Sequence, residues 1–239
     1  MSLIGHHLAA AAAHGKGLAD PEAIFGAALT HWYEPGIWDA SGSPLGINTW
    51  YDKGVSGGSG DLVGDTKNFV SSINGLPAAK LSQSHVFDCT TAFSVKMIYV
   101  AAVVQMVSGS ASYLFSFANG GPEWGWSSSR LYSYYNGLGQ TNVVHGVDPL
   151  STPMILECMV SGEDGNYTGR MWLDGDLKDT KSFTTALSPS VFRIGQRLAG
   201  TSPTDDTDIG DIVIVRDPYE VTDAQRTLLR GWMRNKYGL

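Results

Sequence analysis

Val95 to Val107 reads VKMIYVAAVVQMV, and the fold class turns on this run. It is almost continuously apolar, rich in β-branched residues, and too short to cross a bilayer as a helix, which takes about 20 residues. Such a run predicts a central strand buried on both faces. Ile212 to Val215 (IVIV) has the same character. Around these two lie alternating segments: Tyr113 to Phe117 (YLFSF), Ile155 to Val160 (ILECMV), Gly169 to Leu173 (GRMWL) and Val191 to Ile194 (VFRI). Glu163-Asp164-Gly165-Asn166 and Asp174-Gly175 supply positive φ at low cost, so the strands they join are expected to be antiparallel. From about Trp38 onward, glycine-rich turns such as Gly54 to Gly60 (GVSGGSG) separate short strand-like runs. The body is predicted to be all-β, an antiparallel sandwich with no internal repeat.

The two ends of the chain follow a different pattern. Leu8 to Ala13 is alanine-rich and helix-prone, and Asp20-Pro21-Glu22 reads as N-cap, first-turn proline and acidic first turn. Ile24, Phe25, Ala28, Leu29 and Trp32 then fall on one face at helical spacing. Residues 1–30 are therefore expected to form a helical arm ahead of a domain spanning 31–239. Ile24, Phe25 and Leu29 would be its assembly face, used for attachment or self-association and dispensable for folding of the domain. At the other end, Thr222-Asp223-Ala224-Gln225 is a capping-box pattern, and the helix it opens is expected to turn Leu228, Leu229 and Trp232 inward. Arg226, Arg230 and Arg234 share one helical face, read as a solvated row partnered by Asp217, Glu220 and Asp223.

Composition narrows the function classes. The 239 residues are 43% hydrophobic and 16% charged with 29 glycines, which describes a folded, turn-rich chain. A net charge of −7 repels phosphate, so no nucleic-acid partner is expected. Cys89 and Cys158 form neither a disulfide framework nor a four-ligand zinc site and are expected to be buried free thiols. The opening MSLIGHHLAAAAAHGKG lacks a basic leader region and carries His6 and His7 within its apolar stretch. Neither a signal peptide nor a membrane anchor is read there. His6, His7 and His14 are assigned no metal.

Four stretches carry a family resemblance. WYEPGIWDASGSPLGINTWYDKG (32–54), NGLPAAKL (74–81), RMWLDGDLK (170–178), and GDIVIV (210–215) with TDAQRTLLRGWMRNKYGL (222–239) resemble the laminin-G-like or concanavalin A-like jelly rolls of lectins and glucanases, of the kind found in bacteriophage virion surface proteins. The resemblance covers Trp32 to Leu239 and implies a two-sheet jelly roll with a short C-terminal helix. Because the scaffold hosts binding and catalysis alike, function has to come from its sites.

Those sites favour binding. The glucanase branch uses a strand motif of the form E-x-D-x-x-E, and the nearest acids here, Glu157, Glu163 and Asp164, lack that spacing. Gly54 to Gly58 formally matches the serine elbow G-x-S-x-G, but it sits in a loop, with only His85 and His145 as isolated candidate bases. Asn166-Tyr167-Thr168 is a formal glycosylation sequon read as a turn. The acidic loop Asp205 to Asp208 is read as turn chemistry and not as a calcium site, since calcium takes about six to eight oxygens. No cofactor is expected.

In PEWGWSSSRLYSYYNG, Trp124, Trp126, Tyr132, Tyr134 and Tyr135 have two readings of equal weight: a platform for stacking sugar rings, or ordinary sandwich core. With the resemblance, these features point to a non-catalytic lectin-like protein on a bacteriophage virion surface, contacting host glycans and meeting other virion proteins or itself through the arm. A structural decoration or connector protein is the alternative, and a polysaccharide hydrolase is disfavoured for want of its motif.

Overall fold

The computed structural model describes residues 17–41, 46–55, 60–64, 69–81, 86–89, 97–107, 111–117, 122–127, 130–135, 139–144, 152–163, 165–184, 192–195, 206–216 and 219–239. In chain order the elements are α1 (Pro21–Phe25), a 3-10 turn (Gly26–Ala28), β1 (Leu29–Ser41), β2 (Gly46–Asp52), β3 (Leu62–Gly64), β4 (Phe69–Ile73), β5 (Leu76–Leu81), β6 (Phe87–Cys89), β7 (Ile98–Met106) and β8 (Ala111–Ser116). They continue with β9 (Glu123–Ser127), β10 (Arg130–Tyr135), β11 (Gly139–Val144), β12 (Met154–Glu163), β13 (Asn166–Leu173), β14 (Asp176–Phe183), β15 (Arg193–Ile194), β16 (Thr207–Arg216) and α2 (Asp223–Tyr237).

One antiparallel ladder runs β11-β10-β9-β8-β15-β6-β3-β2 and on through β4-β5-β16-β7-β12-β13-β14, while β1 pairs with both β2 and β16. The ladder folds over at β1, β2 and β4, so its two halves face each other. Phe87, Phe115, Trp124 and Ile194 from the first half share a buried cluster with Val100, Leu156, Cys158 and Ile212 from the second. A second cluster lies on the far face of β7, β12 and β16, where Tyr99, Ala101, Val103, Ile155 and Val213 pack against Leu229, Trp232 and Met233 of α2.

Both deciding runs are therefore central strands. β7 sends alternate residues into the two clusters, and Ile212 to Val215 does the same within β16. Such continuous apolarity is what a strand buried on both faces needs. The predicted Asp174-Gly175 turn joins β13 to β14 with φ of 51° and 96°. Asn74 and Gly75, at 48° and 81°, make the corresponding turn from β4 to β5.

Two expectations about the ends are corrected. Thr222 and Gln225 form the predicted capping box, and Leu229 and Trp232 point inward, but Leu228 is 54% exposed. At about 100° per residue it faces away from the stripe made by Leu229, Trp232 and Met233. The helical spacing from Ile24 to Trp32 also stops short. Gly26 turns the chain at φ 53°, α1 ends at Phe25, and Leu29 already pairs with Val215 as the first residue of β1. Phe25 and Leu29 are buried in the second cluster, with Ile24 packed against it. The expected assembly face is thus part of the domain's own core, and packing of the domain begins before residue 31. Residues 1–16 lie outside the described residues.

Candidate functional site

Strand register assembles a polar row on the outer face of the first layer. Thr49 of β2 pairs with Val63 of β3, Val63 with Asp88 of β6, and Asp88 with Arg193 of β15. Arg193 pairs in turn with Ser116 of β8, and Ser116 with Glu123 of β9. The row faces outward because its neighbours along each strand, Trp50, Leu62, Phe87, Ile194, Phe115 and Trp124, point into the core. Each step across the row is about 4.8 Å.

At the centre of the row, Arg193 grips Asp88 in a bidentate pair: Nε donates to Oδ1 at 2.6 Å and Nη2 to Oδ2 at 2.8 Å. The hydrogen bonds to Asp88 hold the Arg193 pKa above its ordinary value. Asp88 stays 37% and Arg193 22% exposed at the side chain, whereas Ser116 and Glu123 are buried. The accessible stretch therefore runs from β2 to β15, with Val63 and, two residues along β2 from Thr49, Tyr51 exposed on the same face. Flat ring, apolar patch and charged pair lie within about 15 Å of one another by strand geometry. No sequence signal pointed to this row, because Asp88 and Arg193 are 105 residues apart and meet only through the pairing of β6 with β15.

Two of the aromatic candidates, Trp124 and Trp126, resolve toward core. Trp124 and Trp126 are fully buried, Trp124 edge-on to Phe117 with centroids 5.6 Å apart, so neither ring offers a face to a ligand. Their shared parity does place them on one side of β9, and that side faces the opposite layer. Ser133 pairs with Trp124 and reaches across the sandwich to donate a hydrogen bond to Asp179 of β14 at 2.7 Å. The backbone of β10 places Tyr132 opposite Gly125 and Tyr134 opposite Glu123. The side chains of Tyr132, Tyr134 and Tyr135 lie outside the described residues.

Two other polar centres are buried. His31 Nδ1 lies 2.7 Å from Asp52 Oδ2, a spacing that resembles the base and acid of a hydrolase. Gly60 closes over both: a Cβ built on it would stand 2.3 Å from Asp52 Oδ2 and 2.6 Å from His31 Nδ1, leaving no room for a substrate. Asp52 Oδ1 accepts from the Trp32 and Gly54 amides, so the pair anchors the start of the glycine-rich loop. Residues 56–59, His85 and His145 lie outside the described residues, as do His6, His7 and His14.

Glu157, fully buried on β12, accepts from Tyr99, Arg226 and Arg230 at 2.8–2.9 Å. This corrects the solvated-row reading of the helix arginines. Asp223 does pair with Arg226, but the principal partner is a carboxylate from the sheet. Burial, and then Glu157, push the Cys158 thiol pKa well up, and Cys89 and Cys158 are both buried thiols. The expected acidic loop Asp205 to Asp208 is partly strand: Asp206 pairs with Lys80 at 2.9 Å, whereas Thr207 and Asp208 already belong to β16 between β5 and β7, and burial raises the pKa of Asp208; Asp205 lies outside the described residues.

No protein-family model and no curated protein matches the chain. Solved structures do. Trypanosoma rangeli sialidase in complex with sialic acid is similar at a TM-score of 0.62 and 14% identity over 97% of this chain and 38% of its own. The botulinum neurotoxin type G receptor binding domain gives 0.54 and 11% over 86% of this chain and 50% of its own. Domain 4 of AbnA, a GH43 extracellular arabinanase from Geobacillus stearothermophilus, in complex with arabinotriose, gives 0.52 and 15% over 75% of this chain and 92% of its own. The chain thus spans about two fifths of the sialidase. At these identities the likeness shows the fold alone, an antiparallel β-sandwich.

Proposed function

We propose that the chain is a non-catalytic glycan-binding module that takes saccharides on the outer face between β2 and β15. The carrying observation is the half-exposed Asp88–Arg193 pair set in an outward polar row beside exposed Tyr51 and Val63. Sugars present an apolar C–H face, which suits a tyrosine ring, and hydroxyls that both donate and accept, which suit a guanidinium beside a carboxylate. Two of the similar structures were solved with sugars, sialic acid in the sialidase and arabinotriose in the arabinanase domain, and this supports the reading.

The non-catalytic part rests on spacing. Asp88 and Glu123 are three strand steps apart, about 14 Å, while paired glycosidase carboxyls stand about 5–9.5 Å apart. Display on a bacteriophage particle, implied by the sequence resemblance alone, belongs to the same proposal and is tested by antibody labelling of purified particles.

A glycan array probed with the wild-type chain, Tyr51→Ala and Arg193→Ala is the direct test. The expected result is saccharide binding by the wild type that both substitutions weaken about tenfold or more, with melting temperatures little changed. A wild-type chain that binds no glycan overturns the function. Binding untouched by either substitution overturns the site.

A further inference from the structure

On the opposite side of the sandwich, a recess of about 490 Å³ opens between the first turn of α2 and the outer face of β12 to β14. That volume falls in the range of small-molecule sites, about 300–1,000 Å³. Met159, Trp172 and exposed Leu177 supply its apolar surface, and Arg170, Glu220 and Asp223 its charged groups.

The cations around this recess differ in their partners. Arg226 is shared by Glu157 and Asp223, and Arg230 is held by Glu157. Arg170 is half-buried, and among the described residues its side chain makes one polar contact, a hydrogen bond from Nη1 to Ser161 Oγ at 3.4 Å. A guanidinium partly withdrawn from water without a carboxylate has given up solvation for little return, and its planar fork matches a carboxylate. Glu220 is exposed, and Asp223, although paired with Arg226, keeps 97% of its side-chain exposure, so both carboxylates can accept from hydroxyls.

The geometry points to a second saccharide subsite in this recess, selective for an acidic sugar unit. Its carboxylate sits on Arg170, its hydroxyls donate to Glu220 and Asp223, and its C–H face rests on Leu177 and Met159. The inference extends the glycan-binding reading but shares no residue with the β2-to-β15 face, so the two fail separately.

Methyl β-D-glucuronide and methyl β-D-glucoside differ only in carrying a carboxylate or a hydroxymethyl group. Each is titrated into the full chain and followed by amide chemical shifts. The glucuronide is expected to bind at least about tenfold tighter. Arg170→Gln should erase that preference at an unchanged melting temperature, Leu177→Asp should abolish glucuronide binding, and Arg193→Ala should leave it intact. Equal binding of the two glycosides, no binding of either, or a preference that survives Arg170→Gln overturns the subsite. A preference lost in Arg193→Ala and kept in Arg170→Gln also overturns it, while leaving the outer-face reading standing.

Discussion

Arg226 and Glu157 meet out of reach of water: Nε donates to Oε2 at 2.9 Å, with the two side chains 5% and 0% exposed. The guanidinium also lies 3.5 Å from the centroid of the Trp172 ring. One face of the cation is thus covered by the indole and its edge by the carboxylate, so this one residue ties α2 to both β12 and β13. Removing the arginine leaves a buried charge short of a partner, because Arg230 reaches only the other carboxylate oxygen. Arg226→Ala should cost about 3 kcal/mol, measured as a shift of the urea midpoint. A loss below ~1 kcal/mol would show that Arg230 and Tyr99 alone satisfy Glu157.

Trp124→Ala should behave as a core truncation. The ring is fully buried against Phe117 in the inter-layer cluster, so its removal leaves a large cavity and should cost about 3–5 kcal/mol. Saccharide binding per folded molecule should be unchanged. A stable variant that has lost binding would return Trp124 to the ligand site.

What the sequence made legible follows the range of its signals. The β7 run, the IVIV segment and the α2 capping box are local patterns, and each formed as read. The parity of Trp124 and Trp126 was local too, but which layer that side of β9 faces depends on how the ladder folds over. Glu157 did leave a trace: a lone carboxylate in ILECMV, inside an apolar strand, demands a buried cation. Its partners lie 69 and 73 residues away on a helix whose charges resemble a solvated face. The Asp88–Arg193 pair left no trace at all, because its register passes through a two-residue strand.

Truncation separates an arm from a core element. Deleting residues 1–16 leaves every described member of the second cluster in place. Deleting residues 1–29 removes Phe25, which sits 6.5 Å from the Tyr99 ring, and Leu29, which opens β1. The longer deletion should lower stability by several kcal/mol, about 2–5 for each large buried side chain, and the shorter one by little. Equal melting temperatures for the two truncations would show that α1 is dispensable.

The pH dependence of stability should carry the signature of Glu34 and Lys236, which tie β1 to the end of α2. Lys236 Nζ lies 3.0 Å from Glu34 and 2.8 Å from Asp211, and Lys53 Nζ reaches the other Glu34 oxygen at 2.5 Å. Burial alone would raise the Glu34 pKa, but Lys236 and Lys53 outweigh it and hold the carboxyl below its ordinary value. Burial likewise works against the Lys236 charge, yet Asp211 and Glu34 outweigh it and raise the ammonium pKa. A depressed carboxyl pKa contributes stability that is complete above the unfolded value, about 4.3, and is lost as pH falls through the folded one. A raised lysine pKa contributes stability that is complete below about 10.4 and is lost as pH rises through the folded one. Both contributions are therefore present at neutral pH, and the acid limb belongs to Glu34. Glu34→Gln should cost about 1 kcal/mol at pH 7, by loss of charge-assisted bonds, and that deficit should shrink as pH is lowered below about 4, where the wild-type carboxyl also becomes neutral. Urea midpoints of the two chains at pH 7 and pH 3 measure this directly. A deficit of the same size at both values would mean that the glutamine loses packing or geometry and that the ion pairs of Glu34 contribute nothing to stability.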